Sequence, residues 1–281
     1  MQGKTVVITG GTSGIGEVAA IRLAEKGARI VLVARDKART DATLSRLKAA
    51  NPGAAHAAHL ADLSSIAEMK RVAAEIAAAE PRIDVLINNA GAVFLSRQTS
   101  VDGLEMTFAT NHMAYFVVTN VLLPNLKATP GARIVSTASD AHRAGKFDAE
   151  NLQSVGAYRS FGAYGLSKLC NILFTRALAK RLAGTGVTAN CLHPGFVGTR
   201  FGANNVKGTF TRLLRGIVMS LGISPERGAR TIVYLASSSE VEGKSGGYWY
   251  KCAPATPTAA AQSDADAAKL WEISAKLAGV G

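Results

Sequence analysis

Apolar residues fall along this chain in short solid blocks, separated by longer stretches where they recur three and four positions apart. The blocks at 5–9, 29–34, 55–60, 83–88, 132–137, 187–193 and 247–250 are mostly β-branched and apolar on consecutive positions, the pattern of strands buried on both faces. The stretches at 14–26, 37–50, 65–79, 101–126, 161–183 and 225–237 carry helical spacing. Repeated strand–helix–strand units predict a parallel sheet with right-handed crossovers and helices on both faces. The expected fold class is α/β: a single doubly wound domain over 1–281, with a central, mainly parallel, seven-stranded sheet.

Two segments break the rhythm. Residues 199–223 form a long connection in which Phe201, Phe210, Leu213, Leu214, Ile217, Val218 and Leu221 alternate with Arg200, Lys207, Arg212 and Arg215. A lid over a pocket is the expectation, with a membrane-touching helix or an oligomer contact as alternatives. The tail, 252–281, reads as a Pro/Ala coil followed by a short helix. Ser263 is placed to cap that helix, and Asp264 and Asp266 lie near its positive end. Leu270, Ile273 and Leu277 share an apolar face beside Trp271, which predicts docking on the body.

Composition narrows the function classes. The chain has 281 residues, 48% of them hydrophobic and 19% charged, enough to build a substantial core. No apolar stretch is long enough to span a bilayer, and the start lacks a signal-peptide core, so the expected location is cytoplasmic. Cys170, Cys191 and Cys252 offer neither a disulfide framework nor a zinc spacing, and no metal site is expected. The net charge of +12 comes from scattered residues rather than a basic block, so a solvated basic surface is expected and a nucleic-acid partner is not.

Candidate chemistry begins with "TGGTSGIG", between the first strand and the first helix. Gly10 permits a tight turn, and Gly14 and Gly16 permit close approach and helix packing. A helix N-terminus at the carboxyl end of a parallel strand favours anionic oxygen, so the turn predicts a Rossmann-type dinucleotide site. "VARDKAR" at the end of the second strand bears on cofactor choice. If that strand ends at Ala34, Arg35 faces a 2′-phosphate and NADP(H) is favoured. If it runs one residue further, Asp36 meets the ribose, which keeps NAD(H) open. In "YGLSK", Tyr164 and Lys168 project from one helical face. A phenol normally holds its proton up to pH ~10, and a neighbouring cation lowers that value, which suits proton transfer at a carbonyl or carbinol oxygen. His142 and His193 are read as structural or surface residues.

"TGGTSGIG", "NNAG" at 88–91, Asn111, Ser139, "YGLSK" and "PGFVGT" at 194–199 occur in the order seen in short-chain dehydrogenases/reductases. The chain resembles that family over nearly its whole length, with its retinol-dehydrogenase-like branch the nearest match. The resemblance implies a catalytic set. Tyr164 would be general acid/base, and Lys168 would lower its pKa and hold the nicotinamide ribose. Ser139 would hydrogen-bond the substrate oxygen, and Asn111 would hold a water for proton relay. It further implies that Gly10, Thr12, Ser13, Gly14, Ile15 and Gly16 line the cofactor site. Arg35, Asp62 and Leu63 would lie at the adenine end, Asn89, Ala90 and Gly91 at the sheet centre, and Pro194, Gly195, Val197 and Thr199 by the nicotinamide. "STASD" departs from the family's double serine by placing Ala138 before Ser139. Ser136 is a rival hydroxyl, and the segment from His142 to Ser160 resembles an insertion typical of the branch. The activity implied is NADP(H)-dependent carbonyl/alcohol oxidoreduction on a small, lipophilic substrate, and a homo-oligomer is compatible. Alternatives are an enone carbon–carbon double-bond reductase and a non-catalytic NADP(H)-binding sensor or scaffold.

Overall fold

The computed structural model describes residues 1–196 and 222–280. Val197, Thr199 and nearly all of the expected lid at 199–223 lie outside the described residues. The sheet runs in the order β3(Ala57–Leu60), β2(Arg29–Ala34), β1(Thr5–Thr9), β4(Val85–Asn88), β5(Arg133–Thr137), β6(Thr188–Leu192), β7(Tyr248–Tyr250), β8(Ala253–Pro254). All pairings are parallel except β7 with β8. The sheet therefore has eight strands, where the sequence predicts seven. The extra strand is only two residues long, and its turn is made by Lys251 and Cys252, both at positive φ (49° and 63°). A two-residue hairpin turn of this kind is normally announced by Asn-Gly or Asp-Gly, so the Lys-Cys pair hid it. Pro254 is tolerated because this is an edge strand.

Alternation within β1 shows why the blocks are solid. Val6 and Ile8 enter one apolar cluster, with α1(Gly14–Glu25), α2(Lys37–Ala50) and a later helix, 225–237. Val7 enters the other, with α3(Ile66–Ala79), α4(Ala114–Lys127) and α5(Ser160–Arg181). Both faces are covered, so neither parity of the strand can be polar. Among the described residues, two further helices follow, α6(Pro225–Ser237) on the first face and α7(Asp264–Ala278) on the second. Ser263 caps α7 by accepting from the Asp266 N–H at 3.2 Å. The Trp271 ring stacks on Phe174 at 5.8 Å and meets Phe116 edge-on at 4.9 Å. The Arg181 guanidinium lies 4.1 Å from the Trp271 ring centre. The tail helix thus docks on α4 and α5, against an apolar face that would otherwise meet water.

The expected helix at 101–126 is shorter and interrupted. Gly103 sits at φ 78°, and the chain turns there before Glu105 caps a short helical turn by accepting from the N–H groups of Thr107 and Phe108 at 2.9 and 2.8 Å. A π-helical turn, Ala109–Met113, then leads into α4. Such turns insert an extra residue into the helical ladder and are common at functional sites. This one carries Asn111.

Asp84, just before β4, ties the sheet together at its amino end. Its carboxylate accepts from the Thr5 N–H at 2.9 Å, from Lys4 Nζ at 2.9 Å and from Arg82 Nη2 at 2.9 Å. Burial alone would raise its pKa, but the bonds from Arg82, Lys4 and Thr5 outweigh burial and hold it below the usual range. A carboxylate depressed in the folded state stabilises above its unfolded pKa and loses that contribution as pH falls through its folded value. Asp84→Asn is expected to cost about 1–3 kcal/mol at pH 7, with the deficit shrinking below pH ~4. Urea denaturation of both proteins at pH 7 and pH 3 measures this, and a deficit of equal size at the two pH values would contradict it.

Candidate functional site

Strands β1 and β4 are adjacent, and the chain leaves them in different directions, which opens a crevice at their carboxyl ends. Thr9 and Asn89 brace it. Thr9 Oγ1 accepts from the N–H groups of Asn89 and Ala90 at 3.0 and 3.1 Å, while Asn89 Nδ2 donates to the carbonyls of Thr9 and Gly10 at 3.2 and 3.1 Å. The glycines of the turn have a partner inside the protein. A Cβ on Gly16 would lie within van der Waals overlap of Asn89 Nδ2 and the Gly10 carbonyl, and one on Gly10 would sit 2.7 Å from Ala90 Cα. The turn is bare partly so that the 89–90 segment can reach it.

The turn also fits an anionic group. Gly10 and Gly14 take φ of 68° and 57°. Ser13 precedes α1 but makes no side-chain cap bond, as is also so of Arg159 before α5, whereas α2, α3, α6 and α7 are capped by Asp36, Ser65, Ser224 and Ser263. An α-helix that starts without a side-chain cap offers its first N–H groups to a ligand's oxygen. Thr12 and Ile15 are half-buried within this turn and Ser13 is exposed.

At the end of β2 the structure separates the two acceptor possibilities. The strand stops at Ala34. Asp36 is spent as the α2 cap, accepting from the Arg39 N–H at 2.9 Å. Lys37 pairs with Asp41 at 2.7 Å, and Arg39 lies 3.9 Å from Asp36. Arg35 is exposed and makes no ion pair among the described residues. Asp62 closes its own turn by accepting from the Ser64 N–H and hydroxyl at 3.1 and 2.9 Å, while the Leu63 side chain is packed in the core.

The proton-handling residues converge on α5. Lys168 is buried and its Nζ donates to the Thr137 carbonyl at 3.0 Å. It lies 5.7 Å from the Tyr164 ring centre and 5.6 Å from that of Tyr115. Ser139, two residues past β5, caps a 3₁₀ turn, Asp140–Ala144, accepting at Oγ from the Ala141 N–H at 3.2 Å. The Ser139 side chain also hydrogen-bonds Tyr164. Asn111 is fully buried; its Oδ1 accepts from the Ala92 N–H at 2.7 Å, and its Nδ2 donates to the Ala92 carbonyl at 2.9 Å and Ser167 Oγ at 3.0 Å. Ser167 in turn donates to the Tyr164 carbonyl at 2.8 Å. Ser167 was not singled out by the sequence, although its place three residues after Tyr164 was the available signal. Gly91 keeps this corner open, since a Cβ there would lie 3.3 Å from Asn111 Oδ1 and 3.5 Å from Lys168 Nζ.

Two glycines decide how close Ser139 comes to Tyr164. The 3₁₀ turn rests directly on α5, where a Cβ on Gly145 would be 2.6 Å from the Gly165 carbonyl and one on Gly165 would be 2.7 Å from the Ala141 carbonyl. Gly165 is therefore part of the Tyr164 geometry, not a spacer within "YGLSK". The rival hydroxyl, Ser136 Oγ, is buried and has no hydrogen-bond partner among the described residues. Pro194 and Gly195 follow β6, with Gly195 at φ 88° and facing Ile223 and Tyr250.

Burial dominates the electrostatics. It pushes the Tyr164 phenol up to about 12, opposed by the Ser139 hydrogen bond. It pulls the Lys168 ammonium down to about 7. The lowering of the phenol expected from Lys168 does not arise: burial raises the phenol and the Ser139 hydrogen bond alone opposes it, while burial also disfavours the ammonium. The arrangement holds a protonated hydroxyl next to a second hydroxyl, the pattern of a hydrogen-bond pair for one oxygen atom. Among the described residues no cluster of His, Cys, Asp and Glu is arranged to hold a metal ion, and no helix is long and apolar enough to cross a membrane.

Comparison with known proteins places this geometry. A sequence profile described as short chain dehydrogenase matches residues 4–209. The chain is 38% identical to human retinol dehydrogenase 14, over 100% of this chain and 88% of that protein. It superposes on the crystal structure of an uncharacterised protein from Mycobacterium paratuberculosis with a TM-score of 0.79 and 30% identity, covering 99% of this chain and 94% of the other. A Pseudomonas aeruginosa RhlG/NADP active-site complex matches with a TM-score of 0.69 and 28% identity, covering 88% and 94%.

Gly16→Ala tests the packing of the turn. At an ordinary helical position the change stabilises by about 1 kcal/mol. Here the added methyl meets Asn89 and the Gly10 carbonyl, so the thermal midpoint is expected to fall by several degrees, on the order of 1–3 kcal/mol. A raised midpoint in a calorimetric scan would refute the close approach.

Proposed function

This chain belongs to the short-chain dehydrogenase/reductase family of oxidoreductases, and we propose that it transfers hydride between NADP(H) and the carbonyl or alcohol carbon of a small apolar substrate. The observation that carries this reading is the connected set of Ser139, Tyr164, Lys168 and Asn111 beside an uncapped helix N-terminus. The bound nicotinamide supplies hydride chemistry. In reduction, negative charge grows on the substrate oxygen, and the Ser139 and Tyr164 hydroxyls donate hydrogen bonds to it. Tyr164 delivers its proton to that oxygen. A phenol held near 12 keeps its proton at neutral pH, which favours the reductive direction. Lys168, with Asn111 holding the adjoining backbone, restores the proton to Tyr164.

Cofactor choice follows from the end of β2. With Asp36 capping α2 and Lys37 and Arg39 facing carboxylates, Arg35 is, among the described residues at this strand end, the cation left to meet a 2′-phosphate. The NADP named in the RhlG complex agrees with this reading. Gly10, Thr12, Ser13, Gly14, Ile15 and Gly16 would surround the pyrophosphate, Asn89, Ala90 and Gly91 would line the ribose side, and Pro194 and Gly195 would abut the nicotinamide. An apolar substrate is supported by Phe161, 63% exposed and one turn before Tyr164 with ring centres 6.4 Å apart. The name of the human relative, a retinol dehydrogenase, points the same way.

Two outcomes test the reading. Tyr164→Phe removes the transferable proton while keeping the ring, so kcat for carbonyl reduction should drop by at least about a hundredfold, with NADPH affinity within a few-fold. The assay is NADPH oxidation against a panel of aldehydes, ketones and enones, with products identified. A saturated ketone formed from an enone would redirect the assignment to double-bond reduction, and no turnover with any member would leave a cofactor-binding protein. Arg35→Ala should raise the KM for NADPH by about tenfold or more, an amount typical of a lost charge-assisted contact, and leave the KM for NADH nearly unchanged. Equal effects on both cofactors would place the 2′-phosphate elsewhere.

A further inference from the structure

His142 lies two residues beyond the end of the Ser139–Asp140 step, fully buried. Its two ring nitrogens face opposite demands. Nδ1 is 2.8 Å from the Ser139 carbonyl oxygen, which can only accept. Nε2 is 3.2 Å from the Thr258 N–H, which can only donate. One form satisfies both contacts: the neutral imidazole with its proton on Nδ1. A neighbouring ring packs against the imidazole. Tyr248 meets His142 edge-on at 5.3 Å and stacks with His193 at 5.6 Å.

The Ser139 carbonyl therefore receives two bonds from one residue, the second from the His142 N–H at 3.1 Å. This fixes the backbone from which the Ser139 hydroxyl projects. The far end of the imidazole is held by a segment more than a hundred residues later, just after β8. The tail coil thereby sets the tautomer of the residue that grips Ser139.

We propose that His142 is a positioning residue for Ser139, kept in its Nδ1–H form by the Thr258 amide of the C-terminal segment. The proposal rests on the reading that Ser139 binds the substrate oxygen. Its content beyond that reading is that the tail between β8 and α7 takes part in aligning the site, through one ring.

Paired isosteric substitutions separate the two contacts. His142→Asn keeps a donor near the Nδ1 position and loses the Thr258 contact. His142→Gln keeps an acceptor near the Nε2 position and loses the donor to Ser139. The expectation is a kcat loss of about tenfold to a hundredfold in the Gln protein, the range for a misplaced group near the reacting atoms, with NADPH KM unchanged. The Asn protein should recover most of that loss. Nitrogen NMR of ring-labelled histidine in the wild-type protein should show Nδ1 protonated and Nε2 bare at neutral pH. An Nε2–H tautomer, or equal kcat in the Asn and Gln proteins, overturns the proposal. Absence of wild-type turnover across the carbonyl panel overturns the reading of Ser139 itself, a result recognisable because it precedes any comparison of variants.

Discussion

The brace between the ends of β1 and β4 is the interaction on which the rest of the site depends. At that point the chain must leave two adjacent parallel strands on diverging paths, and the backbone groups there have no strand partner. Thr9 and Asn89 satisfy them from within the crevice. Unpaired backbone groups in a buried position would cost free energy comparable to a lost hydrogen bond each. The price of the brace is space, and glycines at 10 and 16 provide it. The bare geometry of the turn is therefore inherited from a contact internal to the protein.

Along the same carboxyl edge, a second close approach sets the chemistry. The 3₁₀ turn after β5 and helix α5 meet at glycines, which brings the Ser139 cap to Tyr164. On the other side of Tyr164, the π-helical turn lets Asn111 reach both the Ala92 backbone and Ser167. Burial then determines protonation. It keeps the Tyr164 phenol protonated and weakens the Lys168 ammonium, so the hydroxyl beside Ser139 is available as a donor.

Much of this was legible in the chain. Solid apolar blocks gave all seven expected strands to within two residues because a strand covered on both faces has no polar parity to confuse it. The order of Gly-rich turn, Asn111, Ser139 and "YGLSK" identified the residues that converge. Local sequence failed where geometry arose from distant contacts. The helix at 101–126 looked continuous because an interrupting π turn leaves hydrophobic spacing nearly intact, and only Gly103 marked the late start. The eighth strand had no turn signature. His142 read as structural because its meaning lies in Thr258, and Asp36 read as a rival to Arg35 because its capping duty appears only once α2 is in place. Val197 and Thr199 lie outside the described residues.

The tail helix has a consequence for how the molecule is made. Helix α5, with Tyr164 and Lys168, buries its outer apolar face under Trp271 and its neighbours, and His112, next to Asn111, meets Ser274 of α7 at 2.8 Å. During vectorial synthesis, α4 and α5 emerge from the ribosome about a hundred residues ahead of their cover. Nascent chains halted before α7 leaves the tunnel would expose an apolar helical surface behind Tyr164 and Lys168, the kind of surface chaperones bind. Completion of the sheet thus precedes the covering of α5, which waits for the final helix.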